Sequence, residues 1–195
     1  MILGITGSIG SGKTTAAKIF SKYHYNRIDA DEIGHNLLEH NIKIKNKIIK
    51  EFGKEILDKN ENVDRKRLGN IVFNSQNKLK KLNSIMHPVI LNEIRTQIKK
   101  IQKKCGDKTK IIIDAPLLIE TGLKNYVEKI IVIKSNKKNI IRRLNRKLAK
   151  EKIERILKAQ MPLNDKLQYA DFVIDNNKDI KYLEKGVRKI AANLT

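Results

Sequence analysis

The chain reads as an α/β protein: a three-layer α/β/α domain around a five-stranded parallel sheet, with a helical insertion and a small helical lid. Three observations predict this. Short apolar runs at residues 1–6, 25–31, 110–114, 129–133 and 170–175 suit buried parallel strands alternating with helical patterns. A glycine-rich loop joins the first run directly to a helix. The block at 36–108 breaks the rhythm and carries apolar residues only at helical spacing. The expected division is a core from 1–35 and 109–195, an insertion at 36–108, and a lid at 138–158.

The glycine-rich loop is Gly7-Ser8-Ile9-Gly10-Ser11-Gly12-Lys13-Thr14, which fits G-x-x-x-x-G-K-[ST] at every fixed position. Residues 1–6 supply the strand before it, and Thr15 opens the helix after it. Such a loop turns several backbone N–H groups toward one polyphosphate, and glycine permits that path. The helix N-terminus adds a field that favours anions. Gly10, Ser11, Gly12, Lys13, Thr14 and Thr15 are therefore the expected ATP-binding residues. Lys13 is expected on the β- and γ-phosphates, and the Thr14 hydroxyl on Mg²⁺. The implied fold is of the P-loop NTPase type.

The second run, 25–31, is expected to stay extended and to end in Asp29 and Asp31, which would then point the same way. In an open parallel sheet the ligand crevice lies beyond the carboxyl ends of the strands. A carboxylate there binds Mg²⁺ through water or accepts a proton from an attacking hydroxyl. The alternative is that Asp31 caps a helix starting near Glu32. Both readings stand on spacing alone.

In the insertion, Ile44, Ile48, Ile49 and Phe52 form one helical stripe, and Leu79, Leu82, Ile85, Met86, Val89 and Ile90 form another. Pro88 is expected to end that helix and start a new one reaching about residue 104. Residues 110–114 end in Asp114, a candidate metal-supporting acid. Residues 139–157 are expected as one helix rich in arginine. Arg142 and Arg146 share a face four residues apart. That face is either a lid that brings charge over a transferring phosphate or a solvated basic surface.

The chain has 195 residues and a formal net charge of +21, from 42 Lys and Arg against 21 Asp and Glu. The lysines are spread along the whole chain, and the aromatics are five Tyr, four Phe and no Trp. Dispersed charge with sparse stacking surface favours anionic small substrates over nucleic acid. A single cysteine, Cys105, excludes an internal disulfide and points to a reducing cytoplasm. No leader and no membrane span are expected. A monomer is favoured, with oligomeric state open.

Taken together, the residues resemble the dephospho-CoA kinase family. The resemblance rests on Gly4-Ile5-Thr6 with the loop, Ile28-Asp29-Ala30-Asp31, Asp64-Arg65-Lys66-Arg67-Leu68 with Val72-Phe73, and Met86-His87-Pro88-Val89. Pro116-Leu117-Leu118-Ile119-Glu120, Arg142 with Arg146, Arg155-Ile156 with Gln160, and Ala170-Asp171 with Val173-Ile174-Asp175-Asn176 extend it over nearly the whole chain. It implies transfer of the ATP γ-phosphate to the ribose 3′-hydroxyl of dephospho-CoA, with Mg²⁺ as cofactor. It implies Asp31 as the acid that activates the acceptor, Arg65 and His87 on the acceptor side, Arg142 and Arg146 around the phosphates, and Asn176 in the adenine pocket. The stretch Lys147-Leu148-Ala149-Lys150 departs from the family in lacking an acidic residue. Another small-metabolite kinase of the same fold is the competing assignment. A GTPase is disfavoured, because Asn177-Lys178-Asp179 lacks the spacer of Asn-Lys-x-Asp and Asn136-Lys137-Lys138-Asn139 ends in Asn.

Overall fold

The computed structural model describes residues 1–194 and divides into two compact units. Residues 1–29 and 97 onward form the first; residues 30–96 form the second. Thr195, the last position of the expected core range, lies outside the described residues.

The first unit holds five strands: β1 (Ile2–Thr6), β2 (Tyr25–Asp29), β3 (Lys110–Asp114), β4 (Lys129–Lys134) and β5 (Phe172–Asp175). They form one all-parallel sheet in the order β2-β3-β1-β4-β5. The chain moves from β1 to one side for β2 and β3, then crosses to the other side for β4 and β5. The crevice at such a reversal opens at the carboxyl end of β1. Isoleucine and valine fill β3 and β4 because both faces of an inner parallel strand are covered.

Helices α1 (Lys13–Ser21) and α9 (Ile180–Asn193) cover one face. Leu3, Ile5, Ile112, Ile131, Ile133 and Ile174 from the sheet pack there with Phe20, Leu183, Val187 and Ile190. Further helical segments are α6 (Lys137–Leu144), α7 (Lys150–Ala159) and α8 (Leu163–Leu167), the last packed against β4.

In the second unit, α2 (Ala30–His40) packs on α3 (Ile42–Phe52), followed by α4 (Arg65–Val72) and the start of α5 (Gln76–Cys105). Ile44, Ile48, Phe52, Ile56, Leu68, Val72 and Met86 make its core. Asn41 and Asp64 cap α3 and α4, accepting from Ile44 N–H and from the Lys66 and Arg67 N–H groups.

Three sequence expectations are corrected. The second strand stops at Asp29, and Asp31 lies in the first turn of α2. Acids in a helix's first turn oppose its dipole favourably, and Asp31 and Glu32 supply two. Pro88 lies inside α5, which runs unbroken from Gln76 to Cys105. An interior proline costs about 3 kcal/mol, but apolar residues on both sides of it, Ile85, Met86, Val89 and Ile90, are packed in one core. Residues 139–157 form two helices, α6 and α7, with Ala149 extended between them. From Leu144 to Ile153 is nine positions, so one continuous helix would put the two apolar stripes about 180° apart. The break lets buried Ile140 and buried Ile153 both face inward.

Asp171 precedes β5 and ties the edge of the sheet. Its carboxylate accepts from the Ile130 N–H at 2.8 Å and from Lys129 Nζ at 2.9 Å. Burial pushes this carboxyl up, but the Lys129 bond, the Ile130 N–H and the Lys129 charge outweigh it and hold it below its usual range. A carboxylate with a depressed folded-state pKa adds stability above its unfolded pKa and loses it as pH falls through the folded one. The group is exposed and its pair is screened by solvent, so Asp171→Asn is expected to lower stability by only about 0.5 kcal/mol near neutral pH. The difference from wild type should vanish in acid, below the ordinary carboxylate range. Urea denaturation of both proteins across pH checks this.

Candidate active site

The loop between β1 and α1 has the geometry that its glycines predict. Gly12 precedes α1 in a left-handed conformation, φ 96°, and a Cβ there would lie 2.1 Å from Asn176 Nδ2. Gly10 has φ 71°, with Leu144 of α6 2.8 Å from where its Cβ would be. Side chains are excluded at both positions by backbone conformation and by space. No side chain caps α1, and its first turn holds no acid. That N-terminus keeps its positive field for an anion. Lys13 opens α1 and is buried; Thr14 is half-buried and Thr15 exposed.

The loop is held from outside. Asn176, after β5, is buried, and its Nδ2 donates to the Ser11 carbonyl at 2.7 Å. Arg143 of α6 donates from Nη1 to the carbonyls of Gly10 and Ser11, both at 3.3 Å, and to Ser135 Oγ at 3.1 Å. Its Nη2 donates to the Asn176 carbonyl at 2.7 Å. Burial lowers the Arg143 pKa, and the Arg142 charge lowers it further. The Ile9 N–H donates to Gln160 Oε1 at 3.0 Å. Sequence reasoning selected Arg142, in α6, and Arg146, which lies in the turn after it rather than on the same helix; both are exposed. Arg143 was missed, although it follows buried Ile140 by three positions and so shares the inward stripe.

A second missed group is Lys166 of α8, fully buried. Its ammonium donates to the Pro116 carbonyl at 2.7 Å and to Glu120 Oε1 at 2.8 Å. Thr6 Oγ1 donates to the same Pro116 carbonyl at 3.2 Å. Burial pulls the Lys166 ammonium down against the pull of Glu120, and the positive charge of Lys13 lowers it further. A five-residue helix carries too little periodicity to reveal such a residue.

At the carboxyl ends of the strands, Asp114 is in register with Ile5 on β1 and Asp29 on β2. Arg27 bridges both acids, donating to Asp114 Oδ2 at 2.9 Å and to Asp29 Oδ2. Burial lowers the Arg27 pKa, but the Asp114 bond and the two carboxylate charges raise it above its ordinary value. Asp114 Oδ1 is buried and has no hydrogen-bond partner among the described residues. The Thr14 hydroxyl and this orphaned carboxylate oxygen are hard oxygen donors. Such donors suit Mg²⁺, which takes one or two protein ligands and completes its shell with phosphates and water.

The remaining predicted residues lie in the second unit. Asp31 is exposed in the first turn of α2, two residues beyond the end of β2. Arg65 is exposed at the start of α4, and His87 is half-buried in α5 beside Pro88. No described helix is long and apolar enough to cross a membrane.

Comparison with known proteins assigns this architecture. Residues 1–182 match the family model for dephospho-CoA kinase. The dephospho-CoA kinase of Aquifex aeolicus is 39% identical over 194 residues, 99% of this chain and 97% of that protein. The one from Fusobacterium nucleatum is 38% identical over 196 residues, 100% of this chain and 98% of its own. The solved dephospho-CoA kinase from Campylobacter jejuni superposes with a TM-score of 0.69 at 31% identity, covering 99% of this chain and 96% of that one. With the fold, the nucleotide loop and these relatives in agreement, the chain belongs to the dephospho-CoA kinase family.

Proposed function

We propose that this protein transfers the γ-phosphate of ATP to the ribose 3′-hydroxyl of dephospho-CoA, giving CoA and ADP. The observation that carries the reading is the phosphate-binding loop: left-handed Gly12, an uncapped α1 N-terminus and a buried Lys13 at its start. The family match over residues 1–182 supports dephospho-CoA as the acceptor.

Each residue has a role in this scheme. The N–H groups around Gly10, Ser11 and Gly12 cradle the phosphates, and Lys13 neutralises charge growing between the β- and γ-phosphates. Thr15 lies beside them at the exposed start of α1. Thr14 and Asp114 would hold Mg²⁺, which supplies a further positive charge to the nucleotide phosphates. Asp31 orients the acceptor hydroxyl and takes its proton. Arg65 and His87 bind the acceptor as part of an insertion at 36–108. Asn176 belongs to the nucleotide pocket, and its bond to the Ser11 carbonyl supports that role. In this reading the protein acts in the cytoplasm and without nucleic acid; a monomer is favoured, with the oligomeric state open.

Arg142 and Arg146 complete the scheme as a lid within 138–158. Arg143 holds α6 against the loop, while Arg142 and Arg146 are exposed, which supports side chains free to meet the phosphates of a bound nucleotide. ATP with dephospho-CoA should slow amide hydrogen exchange across residues 142–155 at least about fivefold, as closing segments gain protection. Unchanged exchange at saturating ligand would favour a solvated basic face.

The test of the proposed reaction is ADP release with ATP, Mg²⁺ and one acceptor at a time. Dephospho-CoA should give the highest kcat/KM among it, nucleosides and other small hydroxyl compounds. DNA or RNA should leave the rate unchanged. Faster turnover on another acceptor would replace the assignment.

A further inference from the structure

We propose that Arg143 is a positioning residue for the nucleotide: its guanidinium, together with the Asn176 amide, fixes the phosphate-binding loop in its binding-ready form before ATP arrives. The inference rests on the reading of this loop as the ATP site.

The guanidinium joins three segments. Its Nη1 reaches the Gly10 and Ser11 carbonyls and Ser135 Oγ, while its Nη2 reaches the Asn176 carbonyl. Asn176 closes the ring by donating its own Nδ2 to the Ser11 carbonyl. Ser135 Oγ lies 3.5 Å from the Asn176 carbonyl and completes the contact between the ends of β4 and β5. The Ser11 carbonyl therefore accepts from two buried or half-buried donors on different segments.

The consequence follows from peptide geometry. In a trans peptide the C=O and the next residue's N–H point in opposite directions. Holding the Ser11 carbonyl outward sets the direction of the Gly12 N–H. Holding the Gly10 carbonyl likewise sets the Ser11 N–H, which donates to the Ser8 carbonyl at 3.0 Å and closes the loop on itself. Glycines at 7, 10 and 12 otherwise leave this backbone free to sample many conformations, which would have to be frozen when ATP binds. Arg143 removes that freedom in advance. Only a planar fork does this. An ammonium carries the same charge but cannot direct donors from two nitrogens at carbonyls on separate segments.

The experiment compares wild type with Arg143→Lys and Arg143→Gln. Binding of a fluorescent ATP analogue is measured without acceptor, together with amide exchange over residues 8–12 and steady-state kinetics with dephospho-CoA. Both variants should bind the analogue about tenfold more weakly, the scale of a lost charge-assisted hydrogen bond. KM for ATP should rise in step, while kcat stays within about threefold, the pattern of a lost binding interaction. Loop exchange should quicken in the free protein. Combining Arg143→Lys with Asn176→Ala should be less than additive, because both side chains hold the Ser11 carbonyl. If Arg143→Gln does not fold, Arg143→Lys, which keeps charge and stem, carries the test. Wild-type affinity and exchange in Arg143→Lys would overturn the proposal, as would full additivity with Asn176→Ala. A fall in kcat and thermal stability with unchanged KM would also overturn it, marking a merely structural contact. Failure of wild type to phosphorylate dephospho-CoA would count against the acceptor alone, since analogue binding and loop exchange need none.

Discussion

Asp31→Asn should lower kcat by about 100- to 10,000-fold, the range for a positioned general base. A ribose hydroxyl is a weak nucleophile far from its pKa at neutral pH. A carboxylate must orient it and take its proton as the new bond forms. Asp31 is exposed in the first turn of α2. Asparagine keeps size and shape and removes only the basic oxygen. ATP affinity should therefore change little. Single-turnover kinetics separates the chemical step from binding. A variant keeping more than about a tenth of wild-type kcat lies outside that range and would end the general-base role. Loss of ATP·Mg²⁺ binding with normal chemistry in the bound complex would make Asp31 a metal-shell residue instead.

Lys13→Ala should lower kcat by at least about 100-fold, the scale of one lost charge-stabilising donor in a preorganised site. Lys13 is 9% exposed, at the start of a helix whose N-terminus has no acid and no side-chain cap. A charge already desolvated and held there stabilises developing phosphate charge without reorganising water. Lys13 also lies close enough to Lys166 for its charge to lower that ammonium's pKa. Circular dichroism and thermal unfolding establish that the variant folds. Near-normal turnover in the folded variant would overturn the role.

The nucleotide loop was legible because its chemistry demands fixed residue types: left-handed Gly12 leaves no room for a Cβ, and Lys13 must follow. The five strands were legible for a similar reason, since β3 and β4 are covered on both faces and admit little but Ile and Val. Boundaries set by competition between local and tertiary preferences were not. Pro88 argues for a helix break, yet the apolar stripe around it keeps α5 whole. Residues 139–157 have good helix formers throughout, yet the half-turn offset between Leu144 and Ile153 splits them. Asp31 reads as the end of a strand by alternation and becomes a helix residue once Ala30 turns. Arg143 and Lys166 were missed because several of their partners are backbone carbonyls far along the chain, at Gly10, Ser11 and Pro116, and carbonyls leave no mark in a sequence.

Product analysis tests the central claim most directly. The purified protein is incubated with ATP, Mg²⁺ and dephospho-CoA, and the product is examined by mass spectrometry and by phosphorus and carbon NMR. One phosphate should be added to dephospho-CoA, at the ribose 3′ position, with one ADP formed for each CoA. Phosphate at another position, or ATP turnover with dephospho-CoA left unmodified, would contradict the assignment.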